Sequence, residues 1–498
     1  MTRICVSLLE PSTEDLLARM QELAGVADLF EIRADQTADL DLARLLQARR
    51  RPLLFTCRPP VLGGRFPGDE ARRRALLVQA AKLDFEYVDI EGDVLVAEVV
   101  AARRGRGLVL SHHDFDATPQ DLDGLYRSLC GAGADVVKIA VTPRSPLDIG
   151  RLTALATRVG RSGQVPLVPI AMGPAGVVTR VAAGRYGAPF TYACAAPGAE
   201  AAAGQLAAAL MADLYRVPNV GPATRIYGVL GADVAGSLSP LLHNRALAAC
   251  AQNGVYVPLP ADDLAAFVAT VPNLGLSGFS VTHPYKSAIL PLLGQVDPAA
   301  ARCESVNTVE VKDGLLCGST TDGRGVVAAL RRHGTLDDRR VAILGAGGAA
   351  RSAALALVQA GARPTLVARD AARAATAAAK LGCAHAAWNE LPDLAWDVLV
   401  QATPVGTGDA NASPLPARAQ RPGTMVLDMV YQPLETRLLR DARAVGATGV
   451  DGLEMLVEQA ALQFQAWTGQ AAPLDVMHAA AETVRNVGAK REAAEVAP

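Results

Sequence analysis

Two residue pairs in this chain have types and settings that suit chemistry better than packing: Lys138 with His113, and Lys286 with Asp322. Lys138 lies inside the apolar run Val136-Val-Lys-Ile-Ala-Val141, where a lysine is costly unless paired or used. Its functional reading is a Schiff-base nucleophile, activated by desolvation and by nearby arginines. The plain alternative is a helix-facing lysine whose amine snorkels to solvent. His113 ends the preceding strand-like run, where a general base would stand, and a hydrogen-bonded core histidine is its alternative. His112 faces the opposite way.

The stretch Val341-Ala-Ile-Leu-Gly-Ala-Gly-Gly-Ala-Ala-Arg351 reads as a strand, a glycine turn and a helix. At Gly345, Ala346, Gly347, Gly348 and Ala349 backbone N–H groups can approach a pyrophosphate, whose charge the helix N-terminus attracts. This implies a nicotinamide dinucleotide; an ordinary strand-helix turn is the alternative. About 20 residues on, where an acid commonly binds the ribose of NAD, the chain reads Ala368-Arg369-Asp370. Arg369, with Arg373 one turn later, suits a 2′-phosphate and favours NADP. Asp370 is an awkward neighbour for that phosphate and keeps NAD as the alternative.

Between these features lie Gly236-Ser237-Leu-Ser239-Pro, Ser280-Val-Thr282-His-Pro-Tyr-Lys286, Val306-Asn307-Thr308 and Thr320-Thr321-Asp322-Gly323. Small hydroxyls, an amide and a Lys/Asp pair suit a polyhydroxylated ligand with one carbonyl to reduce. Singly, each has a plain reading: Ser239-Pro240 starts a helix, Lys286 is a solvated lysine, and Asp322 caps a helix over Gly325–Arg331.

The elements that must position these groups are legible as runs. The first half holds eight short apolar runs, at 4–8, 29–33, 53–57, 87–90, 108–111, 136–141, 167–172 and 190–194, mostly separated by helix-like stretches. They fit a (β/α)8 barrel. A seam rich in Pro and Gly at Arg216–Thr224 separates it from a second half. Residues 226–322 there mix strands and turns, and 340–450 read as a βαβ series with strands Val341–Leu344, Pro364–Ala368, Val398–Gln401 and Met425–Asp428. A helix over Leu453–Trp467 is expected to return to the earlier part. The expected fold is therefore α/β: an N-terminal (β/α)8 barrel fused to a two-part α/β unit with a Rossmann nucleotide-binding domain. Its divisions are 1–216, a linker at 217–225, a substrate part at 226–335 completed by about 453–487, a nucleotide part at 336–452, and a tail at 488–498.

Composition limits the function classes. In 498 residues, half are apolar and 4% aromatic, the profile of helix-covered parallel sheets. A formal net charge of −2 supplies no basic stripe for nucleic acid. The eight cysteines lie without C-x-x-C spacing, so a metal site is not expected and reduced thiols are. No leader pattern and no long apolar span appear, so a cytoplasmic protein away from membranes is expected.

The second-half fragments together resemble shikimate dehydrogenase, across nearly all of residues 225–487. The ordered pieces include Ser237-Leu-Ser239-Pro, Val-Thr282-x-Pro-x-Lys286, Asn307-Thr308, Thr321-Asp322-Gly and the glycine loop. They continue with Ala402-Thr403-Pro404-Val-Gly406, Asp428-Met-Val-Tyr431-x-Pro433 and Gly452-Leu-x-Met455-Leu-x-x-Gln459. The resemblance implies a catalytic dyad of Lys286 and Asp322, with Ser237, Ser239, Thr282, Asn307, Tyr431 and Gln459 holding substrate hydroxyls and carboxylate. Thr403 and Gly452 join the glycine loop, Arg369 and Arg373 on the cofactor side. Gly236, Ser280, His283, Tyr285 and Glu304-Ser305 depart from the family's usual residues, which bears on substrate preference.

The first half resembles type I 3-dehydroquinate dehydratase across about residues 3–215. The pieces are Phe30-Glu31-Ile-Arg33-Ala-Asp35, Thr56-Cys-Arg58, Gly63-Gly64, Asp89-Ile-Glu91, Ser111-His-His113-Asp-Phe115, Val-Lys138-Ile-Ala, Met172-Gly173, Thr179-Arg180 and Gly204-Gln205. The resemblance implies that Lys138 forms an iminium with a ketone and that His113 removes the adjacent proton. Glu31, Arg33, Arg58, Arg180 and Gln205 would bind hydroxyls and carboxylate. Leu62 stands where a glutamate usually partners the histidine, and the lid motif is reduced to Ala201-Ala-Ala-Gly204-Gln205.

The two resemblances join end to end, since the product of one reaction is the substrate of the other. They imply an enzyme taking 3-dehydroquinate to 3-dehydroshikimate and then, with NADP(H), to shikimate, compatible with a homo-oligomer. Three rivals are a sensor retaining both folds, an aldolase barrel joined to a quinate-type dehydrogenase, and a quinate/shikimate dehydrogenase with an impaired barrel. The presence of Lys138, His113, Lys286 and Asp322 speaks against the sensor, and Ser239 leans toward shikimate.

Overall fold

The computed structural model describes residues 2–91, 96–103 and 107–496, the side chains of Val96 and of residues 486–496 excepted. Where a tail is expected over 488–498 the backbone instead continues as helix Leu474–Val496, and residues 497 and 498 lie outside the described residues. The chain forms two compact units. One is Met1–Gly228 with Asp233–Ala235 and Asn253–Leu276; the other is Val229–Ala232, Gly236–Gln252 and Ser277–Pro498.

In the first unit the eight apolar runs are eight strands: β1 (Arg3–Leu8), β2 (Leu29–Arg33), β3 (Leu53–Thr56), β4 (Tyr87–Glu91), β5 (Gly107–Asp114), β6 (Val136–Val141), β7 (Leu167–Ala171) and β8 (Phe190–Cys194). All neighbours pair in parallel, in the order β7-β6-β5-β4-β3-β2-β1-β8. This is a near-closed (β/α)8 barrel. Strand β5 runs three residues past the expected Ser111, because the ladder to β6 continues through His112↔Ile139 and His113↔Ala140 to Asp114↔Val141.

Alternation along each strand divides the interior into layers. Cys5, Leu29, Leu54, Val109, Val136, Val168 and Phe190 form an apolar floor. Two residues nearer the C-terminal end stand Ser7, Glu31, Thr56, Ser111 and Lys138, a polar layer over that floor. Outside, Ser12, Asp41, Asp69, Asp121 and Ser145 each cap a helix through a side-chain oxygen.

Helix Leu264–Leu274 belongs to this unit and packs on helix Pro146–Ser162. The approach depends on Gly150, where a Cβ would fall 2.8 Å from Thr270 Cγ2. Thr153 Oγ1 donates to the Asn273 carbonyl at 3.1 Å, and the Tyr186 hydroxyl to that of Leu274 at 3.1 Å.

Strands β9 (Arg225–Gly231), β10 (Gly254–Pro260), β11 (Leu276–Val281), β12 (Gln295–Val296), β13 (Thr308–Lys312) and β14 (Leu315–Ser319) form a mixed sheet in the order β10-β9-β11-β13-β14-β12. The other sheet is parallel: β15 (Arg340–Leu344), β16 (Arg363–Ala368), β17 (Ala384–Ala387), β18 (Val398–Gln401), β19 (Met425–Asp428) and β20 (Thr448–Val450). Its order β17-β16-β15-β18-β19-β20 reverses direction at β15, the Rossmann arrangement. Val341 and Ile343 pack on one face while Ala342 and Leu344 pack on the other, which is why β15 reads as a continuous apolar run. Edge strands β17 and β20 have no such run and escape a reading by periodicity.

Helix Gly452–Thr468 returns to the mixed sheet, as expected. Trp467 Nε1 donates to the Val309 carbonyl at 3.0 Å, and Gly325 of helix Asp322–Arg331 would place a Cβ 2.7 Å from Gln459 Cβ. Among the described residues no helix is long and apolar enough to cross a membrane.

Candidate active sites

In the barrel, register decides which polar side chains meet. Glu91, Ser111 and Lys138 stand side by side on β4, β5 and β6. Asp89 and His113, two residues away along their strands, therefore share the interior face. Lys138 Nζ donates to Asp89 Oδ2 at 3.0 Å and lies 4.3 Å from the centre of the Tyr192 ring. Asp89 also accepts from Ser111 Oγ at 2.6 Å. Burial opposes ionisation of Asp89, but Lys138, Arg58 and the Ser111 hydrogen bond hold it below the usual carboxylate range. Lys138 thus faces the barrel interior, and the snorkelling alternative is excluded.

His113 Nδ1 lies 2.5 Å from Glu91 Oε1. Burial, with the charges of Arg58, Lys138, His112 and Arg33, holds the imidazole well below its ordinary value, so the ring is neutral and can accept a proton. Glu31 is held by Ser7 Oγ at 2.5 Å and Thr56 Oγ1 at 2.8 Å. Gln205 Nε2 reaches Ser7 Oγ at 3.4 Å, while its carbonyl accepts from Ala201 N–H at 2.7 Å. Arg33 is clamped by Asp35 through bonds of 2.9 and 2.8 Å. Arg58 NH1 lies 3.7 Å from Glu91 Oε1.

Arg180 is the most deeply buried cation of the group. Its NH2 donates to the Ala203 carbonyl at 3.2 Å, its Nε has no hydrogen-bond partner among the described residues, and burial pushes the guanidinium down to about 10. Such a group calls for an anion. Glycines shape the rim: a Cβ at Gly64 would fall 2.0 Å from the Arg58 carbonyl, and one at Gly204 2.4 Å from that of Gly173.

In the second unit, Lys286 Nζ donates to Asp322 Oδ2 at 2.5 Å. Asp322 is the first residue of its helix and Thr321 the cap, so the acid is turned toward the lysine and away from a capping role. Asn307 joins the pair to its surroundings. Its Nδ2 donates to Asp322 Oδ1 at 2.8 Å and Gln459 Oε1 at 3.1 Å, while its Oδ1 accepts from Thr321 N–H at 2.8 Å. Ser237 Oγ accepts from Ser239 N–H at 3.3 Å and is hydrogen-bonded to Tyr431, whose hydroxyl burial pushes up. Half-buried Thr282 precedes Lys286 in the turn after β11. Lys286, Asp322, Asn307 and Gln459 are therefore one linked cluster, and Ser237, Ser239 and Tyr431 a second linked group. Helix Ser239–Ala249 does begin at Ser239-Pro240, the plain reading of that fragment.

The glycine loop fits a dinucleotide. Gly345 has φ +113°, Gly347 caps helix Gly348–Gln359 with open space where a Cβ would stand, and Gly348 would place a Cβ 2.5 Å from Ser305 Oγ. Ala349 follows in the first helical turn. Thr403 N–H and Oγ1 both donate to buried Gln401 at 3.0 Å beside the loop. Gly452 would place a Cβ 2.7 Å from the Met429 and Val430 carbonyls, so only glycine allows that approach. Arg369 and Arg373 are exposed after β16. Asp370 accepts from Arg373 N–H at 2.9 Å as the cap of helix Ala371–Leu381. Its carboxylate is thus turned to a helix N-terminus, whose partial positive charge offsets part of its own.

Sequence reasoning gave no role to Asp89, Tyr192, Gln463 or Arg351. Gln463 donates to the Asn307 carbonyl at 2.9 Å and accepts from Ser280 at 2.9 Å. Arg351 donates to the Cys303, Glu304 and Ala346 carbonyls, linking the glycine loop to the turn before Asn307. The usable signal was periodicity: Asp89 is two residues before Glu91, and Gln463 one turn after Gln459. No group of three His, Cys, Asp or Glu side chains among the described residues is placed to hold a metal ion.

Three family models match the chain. Residues 4–222 match the model of type I 3-dehydroquinase, 229–309 the shikimate dehydrogenase substrate binding domain, and 452–482 the shikimate 5′-dehydrogenase C-terminal domain. A chloroplastic bifunctional 3-dehydroquinate dehydratase/shikimate dehydrogenase of Arabidopsis thaliana is 33% identical over 507 residues, covering 95% of this chain and 83% of that protein. A shikimate dehydrogenase (NADP(+)) of Pyrococcus abyssi is 40% identical over 49% of this chain and 92% of its own length. A crystal structure of a shikimate dehydrogenase in complex with NADP+ superposes with a TM-score of 0.51 at 31% identity, covering 53% of this chain and 96% of that one.

Proposed function

Because the chain belongs to the family of bifunctional 3-dehydroquinate dehydratases/shikimate dehydrogenases, we propose that its two sites act in succession on one small molecule. The barrel dehydrates 3-dehydroquinate to 3-dehydroshikimate, and the second unit reduces that product to shikimate. The observation that carries this reading is a complete reactive pair in each unit, Lys138 near His113 and Lys286 on Asp322.

In the barrel, Lys138 passes its extra proton toward Asp89 and attacks the substrate ketone, releasing water as an iminium forms. The iminium draws electrons from the adjacent C–H bond, and neutral His113 accepts that proton. The pair moves into the new C=C bond as the neighbouring hydroxyl leaves, protonated to water by His113. Water then hydrolyses the imine and restores Lys138. Arg180 is placed for the substrate carboxylate, and Glu31, Arg33, Arg58 and Gln205 for hydroxyls and charge.

In the second unit, Gly345, Ala346, Gly347, Gly348 and Ala349 would hold NADPH with Thr403 and Gly452 beside them, Arg369 and Arg373 would take its 2′-phosphate, and the cofactor bound there would supply a hydride. Lys286, held by Asp322, donates a proton to the carbonyl oxygen as negative charge develops there. Asn307 and Gln459 fix the dyad, and Ser237, Ser239, Thr282 and Tyr431 hold substrate hydroxyls and carboxylate. The division we propose is 1–216, 217–225, 226–335 with about 453–487, and 336–452. Eight free cysteines fit a reducing cytoplasm; neither nucleic acid nor membrane is a partner, and self-association is compatible with the reading.

The test supplies 3-dehydroquinate with NADPH and follows enone absorbance and cofactor oxidation together. Enone should rise and then fall as NADPH is consumed. Borohydride added with 3-dehydroquinate should add the reduced substrate's mass at Lys138. Lack of trapping, or turnover by Lys138→Ala, would remove the barrel mechanism.

A further inference from the structure

We propose that Glu91 is the positioning residue for His113, fixing its tautomer and balancing the charge the ring acquires during dehydration. This rests on the dehydratase reading above. Glu91 Oε1 stands 2.5 Å from His113 Nδ1, with side-chain exposures of 12% and 7%. The two atoms are within hydrogen-bonding distance without being in hydrogen-bond alignment, a looseness common in free active sites before substrate orders them.

The placement follows from the sheet. Glu91 pairs with Ser111 across β4 and β5, so its side chain shares the interior face with His113, two residues further on. Among the described residues the carboxylate paired with this ring is Glu91. Asp89 is committed to Lys138 and Ser111, and Asp35 to Arg33. The Gly63 loop also approaches the ring: a Cβ at Gly63 would fall 3.2 Å from Phe115, which stacks on His113 at 6.1 Å. Leu62, the neighbour in that loop, has no polar atom to offer. Arg58 lies 3.7 Å from the same Glu91 oxygen.

The consequence is specific. With its Nδ1–H directed at Glu91, the neutral ring presents the Nε2 lone pair as the base. When Nε2 takes the substrate proton, the imidazolium forms against a carboxylate. It returns that proton to the departing hydroxyl, and the ring is neutral again. Arg58, Lys138, His112 and Arg33 are the charged or titratable groups that otherwise bear on His113, and each disfavours its protonation. Glu91 is the counterweight that lets a ring among cations accept a proton at all.

The experiment compares the full chain with Glu91→Gln and Glu91→Asp, reading three quantities. These are borohydride trapping at Lys138, the dehydration kcat, and the acid limb of the kcat/KM profile against pH. Glu91→Gln should trap substrate like the unaltered chain, because imine formation needs Lys138 and Asp89. Its kcat should fall by about 10- to 100-fold, the scale for losing a partner that orients a histidine. Its acid limb should move to lower pH, because an imidazole without the carboxylate protonates less readily. Glu91→Asp should recover part of the rate. An unchanged kcat and acid limb in Glu91→Gln would overturn the proposal, as would loss of trapping and dehydration in equal measure. If the unaltered chain neither traps nor dehydrates, the dehydratase reading itself fails, which is a separate outcome.

Discussion

Arg180 shows how one residue couples stability to function. Its guanidinium is buried, only partly hydrogen-bonded, and pushed down to about 10 by desolvation. On the proposed function, the partner of this cation comes from the substrate. Arg180→Met should raise the melting temperature of the substrate-free barrel, since a buried unsatisfied charge is removed and its volume kept. The same change should raise KM for 3-dehydroquinate by more than tenfold, in line with about 2–5 kcal/mol for truncating one side of a buried charge pair. Calorimetry and steady-state kinetics on one preparation check both signs; a lower melting temperature with unchanged KM would contradict the assignment. Lys286 and Asp322 make the simpler residue-scale case. Lys286→Ala should abolish NADPH oxidation with 3-dehydroshikimate while dehydration continues.

At the scale of elements, the glycine loop depends on what packs beneath it. Gly348 opens its helix against Ser305, and a Cβ there would come within 2.5 Å of Ser305 Oγ. Gly348→Ala should weaken NADPH binding, with an overpacking cost of about 1–3 kcal/mol. Ser305→Ala in the same chain should restore part of the affinity, a coupling that fluorescence titration of NADPH reads directly. Strand β19 supplies a titrating element. Asp428 at its end accepts from Val430 N–H at 3.0 Å and Thr436 Oγ1 at 2.8 Å, yet burial pushes its carboxyl up to about 6. A group raised in the folded state binds its proton more tightly there than in the unfolded chain. Its contribution is fully present below about pH 4 and is lost as pH rises through about 6, amounting to about 3 kcal/mol for two units. Stability of the second unit should show this decline relative to Asp428→Asn; denaturant unfolding at pH 4, 5, 6 and 7 measures it. Parallel curves for the two chains would show that Asp428 does not titrate in this range.

For the whole molecule, each unit encloses its own reactive pair, so the two half-reactions should be separable. A mixture of Lys138→Ala and Lys286→Ala chains should convert 3-dehydroquinate to shikimate with a lag while free 3-dehydroshikimate accumulates. Neither variant alone should do so. Absence of product from the mixture, with each remaining half-reaction intact, would mean that the intermediate does not pass through solution.

What the sequence determined by itself is the part written in local patterns. Apolar runs of strand length, the glycine turn between strand and helix, and Lys138 inside a buried run each have a short-range physical cause. It was the resemblance of the ordered fragments to shikimate dehydrogenase, and no fragment singly, that joined Lys286, Asp322, Asn307 and Gln459 in one expected site. The tertiary structure decided what depends on register and packing between distant strands. Strands β4 and β6, on either side of β5, bring Asp89 to Lys138 across 49 positions, and the β4–β5 ladder brings Glu91 to His113. It also turned Asp370 onto a helix N-terminus, leaving Arg369 and Arg373 exposed beside the glycine loop. A carboxylate reads the same in sequence whether it caps a helix, holds a lysine or orients a histidine. Only the geometry of the surrounding donors, set by the fold, separates those roles.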